Sequence, residues 1–210
     1  MIAEQLRKSI LQAAIQGKLT EQLPEDGDAK DLLKEVQKEK QRLTKEGKIK
    51  NEKPLPEISE DEIPFEIPAN WCWVRLDSVC KYIHRGKTPK YSAIRKYPVV
   101  AQKCNQWDGF HIEKAQFIDP DTVSKYSAEQ LLETKDLLWN STGLGTLGRV
   151  VIYEGIKNPY DFAVADSHVT IIRTLKDLIM PEFIHTILSG PWIQSIVEDI
   201  STGSTKQKEL

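Results

Sequence analysis

Between Asp77 and Asp108 the chain has no carboxylate, although Asp and Glu supply 31 of its 210 residues. Nothing acidic inside that stretch can neutralise its cations, so any partner it attracts by charge is an anion. Cysteine is scarce too, with only Cys72, Cys80 and Cys104. Three thiols at spacings that match no zinc module exclude a disulfide framework and predict free thiols in a reducing cytosol. His84, His111, His168 and His185 are scattered, which excludes a His-rich metal motif and predicts that no cofactor is needed. No long apolar run occurs, near the N-terminus or elsewhere, so the expectation is a cytoplasmic protein with neither signal peptide nor membrane span. No internal repeat is visible, which excludes a solenoid.

What stands in the acid-free stretch is a set of seven cations: Lys81, Arg85, Lys87, Lys90, Arg95, Lys96 and Lys103. Interleaved with them are Tyr82, Tyr91, Tyr97, Trp107 and the amides Gln102, Asn105 and Gln106. Cations neutralise phosphates and release counterions, amides pair with base edges, and flat rings stack. The mixture therefore suits a nucleic acid. The formal net charge of -2 does not oppose this, because residues 78–107 carry +7 while residues 54–77 carry -5 and residues 108–210 carry -6. A basic footprint on one face is expected, with the rest of the chain repelling phosphate.

Apolar residues Ile2, Leu6, Ile10 and Ala13 fall at helical spacing and predict a first helix ending near Gly17. A second helix is expected from an Asp28 cap to Gly47, with Leu32, Leu33, Val36 and Leu43 on its apolar face. Asp31 with Lys34, Glu35 with Lys38 and Glu39 with Arg42 lace its outer face at i,i+3. Two such helices need a further surface to cover their apolar stripes. Residues 48–70, acidic and punctuated by Pro54, Pro56, Pro64 and Pro68, read as an extended linker. A compact domain then spans 71–200, and 201–210 open a further region. Strands are predicted at Trp71 to Leu76, Tyr97 to Ala101, Phe110 to Phe117, Asp136 to Asn140, Arg149 to Tyr153, Phe162 to Ala165 and His168 to Leu175. Helices are predicted near Ser127 to Leu132, Pro181 to Leu188 and Trp192 to Ile200. Strands and helices without regular alternation make the fold class α+β, an irregular mixed domain behind a helical segment.

Several motifs suggest chemistry that their context removes. Gly143, Gly145 and Gly148 spell GxGxxG, but the β-branched run from Arg149 to Tyr153 predicts a strand where a dinucleotide site needs a helix. Pro120, Asp121, Glu133 and Lys135 fit the spacing of a magnesium-dependent nuclease motif, with a surface turn as the plainer reading. Asn158-Pro159-Tyr160 lacks a proline of the amino-methyltransferase tetrapeptide and reads as a turn. Gly86-Lys87-Thr88 lacks the first glycine of a phosphate loop. Asp166, Ser167 and His168 point to alternate faces of one strand, so they form no relay and read as a strand junction. A binding protein is the better expectation than an enzyme.

Five segments, in order, resemble the specificity (S) subunit of type I restriction-modification enzymes. They are Leu6–Leu19 (LRKSILQAAIQGKL), Ile67–Leu76 (IPANWCWVRL), Gly86–Pro89 (GKTP), Asp136–Gly143 (DLLWNSTG) and Gly203–Leu210 (GSTKQKEL). The resemblance implies that residues 1–47 belong to a coiled-coil spacer that docks modification subunits, and through them the restriction subunit. It implies that residues 71–200 form one target recognition domain reading half of a bipartite site in double-stranded DNA. Methylation and cleavage would belong to partner subunits, making this chain a non-catalytic DNA-binding part of a restriction system. A full S subunit carries two such domains, so the length implies either a piece of one or a half-subunit, with a half-subunit dimer as one expectation. From charge and chemistry, Lys87, Thr88, Lys90, Arg95, Lys96 and Lys103 are assigned to phosphates or an Arg-to-guanine pair. Asn105, Gln106 and Tyr91 are assigned to base edges or stacking, and Ser141 and Thr142 to phosphate from their loop. A magnesium-dependent nuclease, a helical scaffold that binds only protein and an RNA-binding domain are the alternative readings.

Overall fold

The computed structural model describes residues 2–50, 53, 55–143, 145–204 and 207–210. Pro54 of the expected linker, Leu144 of the glycine loop and Thr205 and Lys206 of the last segment lie outside the described residues. The chain forms two compact units, residues 1–81 with 174–180 and residues 82–173 with 181–210. The boundary expected at Trp71 falls inside the first unit.

The first unit contains helices α1 (Ile2–Ile15) and α2 (Ala29–Lys45). The Asp28 side chain caps α2 by accepting from the Lys30 amide, and Lys34 and Arg42 pair with Asp31 and Glu39 as the spacing predicts. Val36 and Leu43 are buried. In α1 only Ile15 is buried, and Ile2, Leu6 and Ile10 are 84%, 59% and 48% exposed. Residues 71–75 form no strand, contrary to expectation; a 3-10 turn, Leu76–Val79, follows them. Their side chains are taken up locally instead. The Trp71 indole donates to Gln22, and Arg75 donates to both Glu62 carboxylate oxygens and to the carbonyls of Pro56 and Glu57.

The second unit is built on two four-stranded sheets. In chain order the strands are β1 (Cys80–Arg85), β2 (Tyr91–Ser92), β3 (Pro98–Val100), β4 (Asn105–Gln106), β5 (Gly109–Phe110), β6 (Gln116–Ile118), β7 (Leu137–Asn140), β8 (Val150–Ile152), β9 (Val164–Ala165) and β10 (Val169–Thr174). One sheet has the order β1-β10-β7-β8 and the other β2-β6-β3-β9, with β3 and β9 parallel. Helices α3 (Pro181–Ser189) and α4 (Pro191–Ile196) follow, then the hairpin β11 (Thr202–Ser204) and β12 (Gln207–Glu209). Mixed elements without regular alternation give the α+β class.

Alternation along the central strands sorts their side chains between two faces. Leu138, Val151, Val169 and Ile171 enter one core cluster with Val100, Phe110, Tyr153 and Ala165, so both sheets contribute to it. Full burial of each such aliphatic side chain is worth about 1.5–3 kcal/mol. The single strand expected from Phe110 to Phe117 is broken by a 3-10 turn at Ile112–Lys114, and the helix expected near Ser127 is a 3-10 turn at Ala128–Gln130. Strand β1 had no sequence forecast, because its Cys-Lys-Tyr-Ile-His-Arg lacks a clean polar–apolar alternation.

Candidate nucleic-acid interface

A hydrogen-bonded wall of four loops forms where β1, β3, β7 and β9 end. It begins at Gly86, whose amide donates to the Val169 carbonyl at 3.0 Å, followed by the Lys87 amide to Ala165 at 3.2 Å. Approach this close is possible only without a side chain, since a Cβ on Gly86 would stand 2.0 Å from the Ala165 carbonyl oxygen. The loop so anchored lays Thr88 against Ser167, hydroxyl to hydroxyl at 3.2 Å. The Lys87 ammonium reaches the Lys125 carbonyl and lies over the Tyr126 ring.

The β9–β10 turn is held by Asp166, one carboxylate oxygen accepting from the His168 amide at 2.8 Å and the other from the Tyr91 hydroxyl at 3.0 Å. Partial desolvation of the half-exposed ring, with Asp166 beside it, pushes the Tyr91 phenol up to about 12, so it stays a neutral donor at physiological pH. His168 in turn meets the Thr142 hydroxyl through Nδ1 at 2.6 Å. The Gln102 side-chain amide donates to the Thr142 carbonyl and to the Thr146 hydroxyl. Arg85 ties the Ser141 carbonyl to the end of the chain, donating to the Leu210 carbonyl at 2.9 Å and pairing with Glu209 at 3.2 Å.

The loop after β7 turns on glycine. Gly143, Gly145 and Gly148 have φ of +90°, +79° and +81°, values that L-residues seldom adopt. The third is followed by β8, antiparallel to β7, so the GxGxxG spacing makes a β-loop-β turn and no helix N-terminus.

Of the residues assigned from sequence, Lys87, Thr88, Lys90, Tyr91, Arg95, Lys96 and Lys103 are all exposed. Lys90 pairs with Asp119 at 2.7 Å, Arg95 lies over Phe117 and Lys96 over Tyr97. An exposed pair such as Lys90 with Asp119 is worth little, so Lys90 can exchange its carboxylate for a phosphate at small cost. Burial sets three of the assigned residues apart. Asn105 is fully buried and spends its amide on the Asn140 side chain at 2.8 Å. Ser141 and Thr142 are buried as well, their hydroxyls turned to His168. Gln106 is half-buried, donating to the Lys103 carbonyl and accepting from Arg149 at 2.8 Å. In this structure these four side chains brace loops. Gln102, Asp166 and His168 were missing from the sequence assignment; the Asp-Ser-His run was visible but reads as a junction until its distant partners are placed.

His111 joins the tip of the β4–β5 hairpin to the next turn, with Nδ1 2.7 Å from Glu113 and Nε2 3.1 Å from Asp108. Glu113, then Asp108, raise its pKa above the ordinary value. A raised folded pKa stabilises fully below the unfolded value, about 6.5, and that contribution is lost as pH rises through the folded value. The stability difference between the parent chain and His111→Gln is therefore expected to be largest below about pH 6.5 and to shrink at alkaline pH. Urea midpoints across that range measure it; a pH-independent difference would refute the pairing.

The motifs that suggested catalysis are absorbed elsewhere. Glu133 pairs with Arg173 at 3.0 Å and Lys135 pairs with Glu182. Among the described residues no group of three His, Cys, Asp or Glu side chains is placed to hold a metal ion. Burial pushes the Cys80 thiol up to about 12 and the Cys104 thiol to about 11, so neither is a thiolate nucleophile near neutrality. Among the described residues no helix is long and apolar enough to cross a membrane.

No protein-family model matches the chain. It is 30% identical over 210 residues to the Type I restriction enzyme EcoAI specificity subunit of Escherichia coli, an alignment covering 99% of this chain and 34% of that protein. It is also 48% identical over 87 residues to the Type I restriction enzyme EcoEI specificity subunit of Escherichia coli, covering 41% of this chain and 15% of that protein. The resemblance noted in the sequence thus extends along nearly every residue. Along nearly its whole length the chain is similar to a specificity subunit of a type I restriction enzyme, and it spans about one third of the length of the EcoAI subunit.

Proposed function

We propose that this chain recognises one half of a bipartite sequence in double-stranded DNA for a cytoplasmic type I restriction-modification complex. The observation that carries the reading is the match of 99% of the chain to a protein named as a specificity subunit. The recognition surface is the Gly86–Lys103 segment with the loops around it, where Lys87, Lys90, Arg95, Lys96 and Lys103 meet phosphates and Thr88 and Tyr91 supply polar contacts. Methyl transfer and cleavage are left to the modification and restriction subunits, and this chain carries no catalytic residue.

The apolar stripe of α1 supports docking of modification subunits, or of a second half-subunit, at the helical end. Ile2, Leu6 and Ile10 are more exposed than an amphipathic helix in water tolerates without a covering surface. A scaffold that binds only protein would use the same stripe. Binding to a randomised duplex library, with and without a modification subunit, separates the two. Enrichment of one short half-site supports the recognition reading; no retention in either arm overturns it.

Phosphate contacts carry a second expectation. Lys96→Ala is expected to weaken binding on all sequences alike and to reduce the slope of log affinity against log salt by about one. An unchanged slope removes Lys96 from the footprint.

A further inference from the structure

We propose that Trp107 is a wedge that packs its ring against a base step of the bound duplex, an inference that rests on the DNA-recognition reading above. Trp107 and Asp108 are the two loop residues of the β4–β5 hairpin, whose register pairs Gln106 with Gly109. Tryptophan is seldom left in water, yet here the side chain at the tip is 55% exposed. The hairpin beneath it is braced from several directions. Asn105 at its base is fully buried and bonded to Asn140, and Gln106 bridges the Lys103 carbonyl and the Arg149 guanidinium. Arg149 also donates to the Gly145 carbonyl at 2.8 Å, which ties the hairpin to the glycine loop and so to the wall of loops containing Thr142 and His168. A rigid mount that presents an exposed ring loses little entropy when the ring is buried against a partner.

The charge around the tip favours nucleic acid over protein. Trp107 is the last residue of the acid-free stretch, with Lys103 exposed on the turn that Gln106 holds. The two nearest acids in sequence, Asp108 and Glu113, are both engaged by His111. An exposed aromatic ring at the end of a stretch of cations fits a base step flanked by phosphates. Apolar side chains inserted between base steps partly unstack them and bend the duplex, and aromatic contacts with bases persist across sequences.

The test compares the full chain with its Trp107→Ala and Trp107→Phe variants on one labelled duplex over a salt series. Loss of stacking is expected to lower the affinity of Trp107→Ala by about 5-fold to 100-fold. The salt slope and thermal midpoint should stay unchanged, because no phosphate contact and no core packing is removed, and Trp107→Phe should recover most of the loss. Equal binding by the parent and Trp107→Ala overturns the wedge while leaving the DNA reading intact. A parent chain that binds no duplex removes the DNA reading, and the wedge with it. If Trp107→Ala loses only capture of a modification subunit, the wedge is overturned and the ring belongs to a protein interface.

Discussion

Replacing Arg173 by Met is expected to destabilise the second unit by about 3–5 kcal/mol, a large part of the roughly 5–15 kcal/mol that holds a domain folded. Arg173 crosses the interior in a fork, with Nε and Nη2 each 2.7 Å from an Asp136 carboxylate oxygen. It also donates to the carbonyls of Glu129 and Leu131, and its side chain is 6% exposed against 1% for Asp136. Burial pushes the Asp136 carboxyl above its ordinary value, and Arg173 is the cation that compensates it; the Glu133 amide donates to the same carboxylate. Removal of the guanidinium leaves that carboxylate in a dry interior beside Glu133, with two carbonyls unpaired. Arg173→Lys should recover little, because an ammonium cannot reproduce the planar fork. The double variant Arg173→Met with Asp136→Asn should be less destabilised than the sum of its parts, since the second change removes the stranded charge. Urea midpoints of Arg173→Met, Arg173→Lys, Asp136→Asn and the double variant, followed by circular dichroism, measure this. Strict additivity would show that the pair does not act as a unit.

Gly86→Ala is expected to cost about 1–3 kcal/mol and, in the molecules that remain folded, to lower DNA affinity more than Lys87→Ala does. The three atoms nearest to the added Cβ are all main-chain, the Ala165 oxygen at 2.0 Å, the Ala165 carbon at 2.3 Å and the Asp166 oxygen at 2.5 Å. No rotamer change relieves a contact with backbone, so the end of β1 and the β9–β10 turn must separate. Lys87, Thr88, Tyr91 and His168 all depend on that approach, and moving it misplaces them together. Duplex binding set beside thermal midpoints tests this. A variant that melts earlier yet binds DNA as the parent does would show that the loop wall is not the recognition surface.

Local features of the fold were legible because their causes are local. The Asp28 cap, the i,i+3 ion pairs of α2 and the apolar runs of β7, β8 and β10 depend on neighbours within one or two turns or one ladder. The β-branched run after Gly148 likewise excluded a dinucleotide site before any geometry was available. The strand expected at Trp71 failed because Arg75 and Trp71 find partners 13 and 49 residues away in Glu62 and Gln22, and those bonds compete with a ladder. The candidate interface divides in the same way. Cations announce themselves as exposed by their hydration cost, and all five assigned Lys and Arg side chains are exposed.

The sequence by itself determined the sign and place of the acid-free basic stretch, the α+β class and the likeness to specificity subunits. Only the tertiary structure decided which polar side chains face outward. Asn105 and Gln106 are adjacent amides of the same chemistry, yet one is sealed against Asn140 and the other clamped by Arg149, 35 and 43 residues further along. Trp107 follows them and is left in water. Charge is a property a residue carries wherever it lies, whereas the exposure of an amide or a ring is set by what distant segments bring against it.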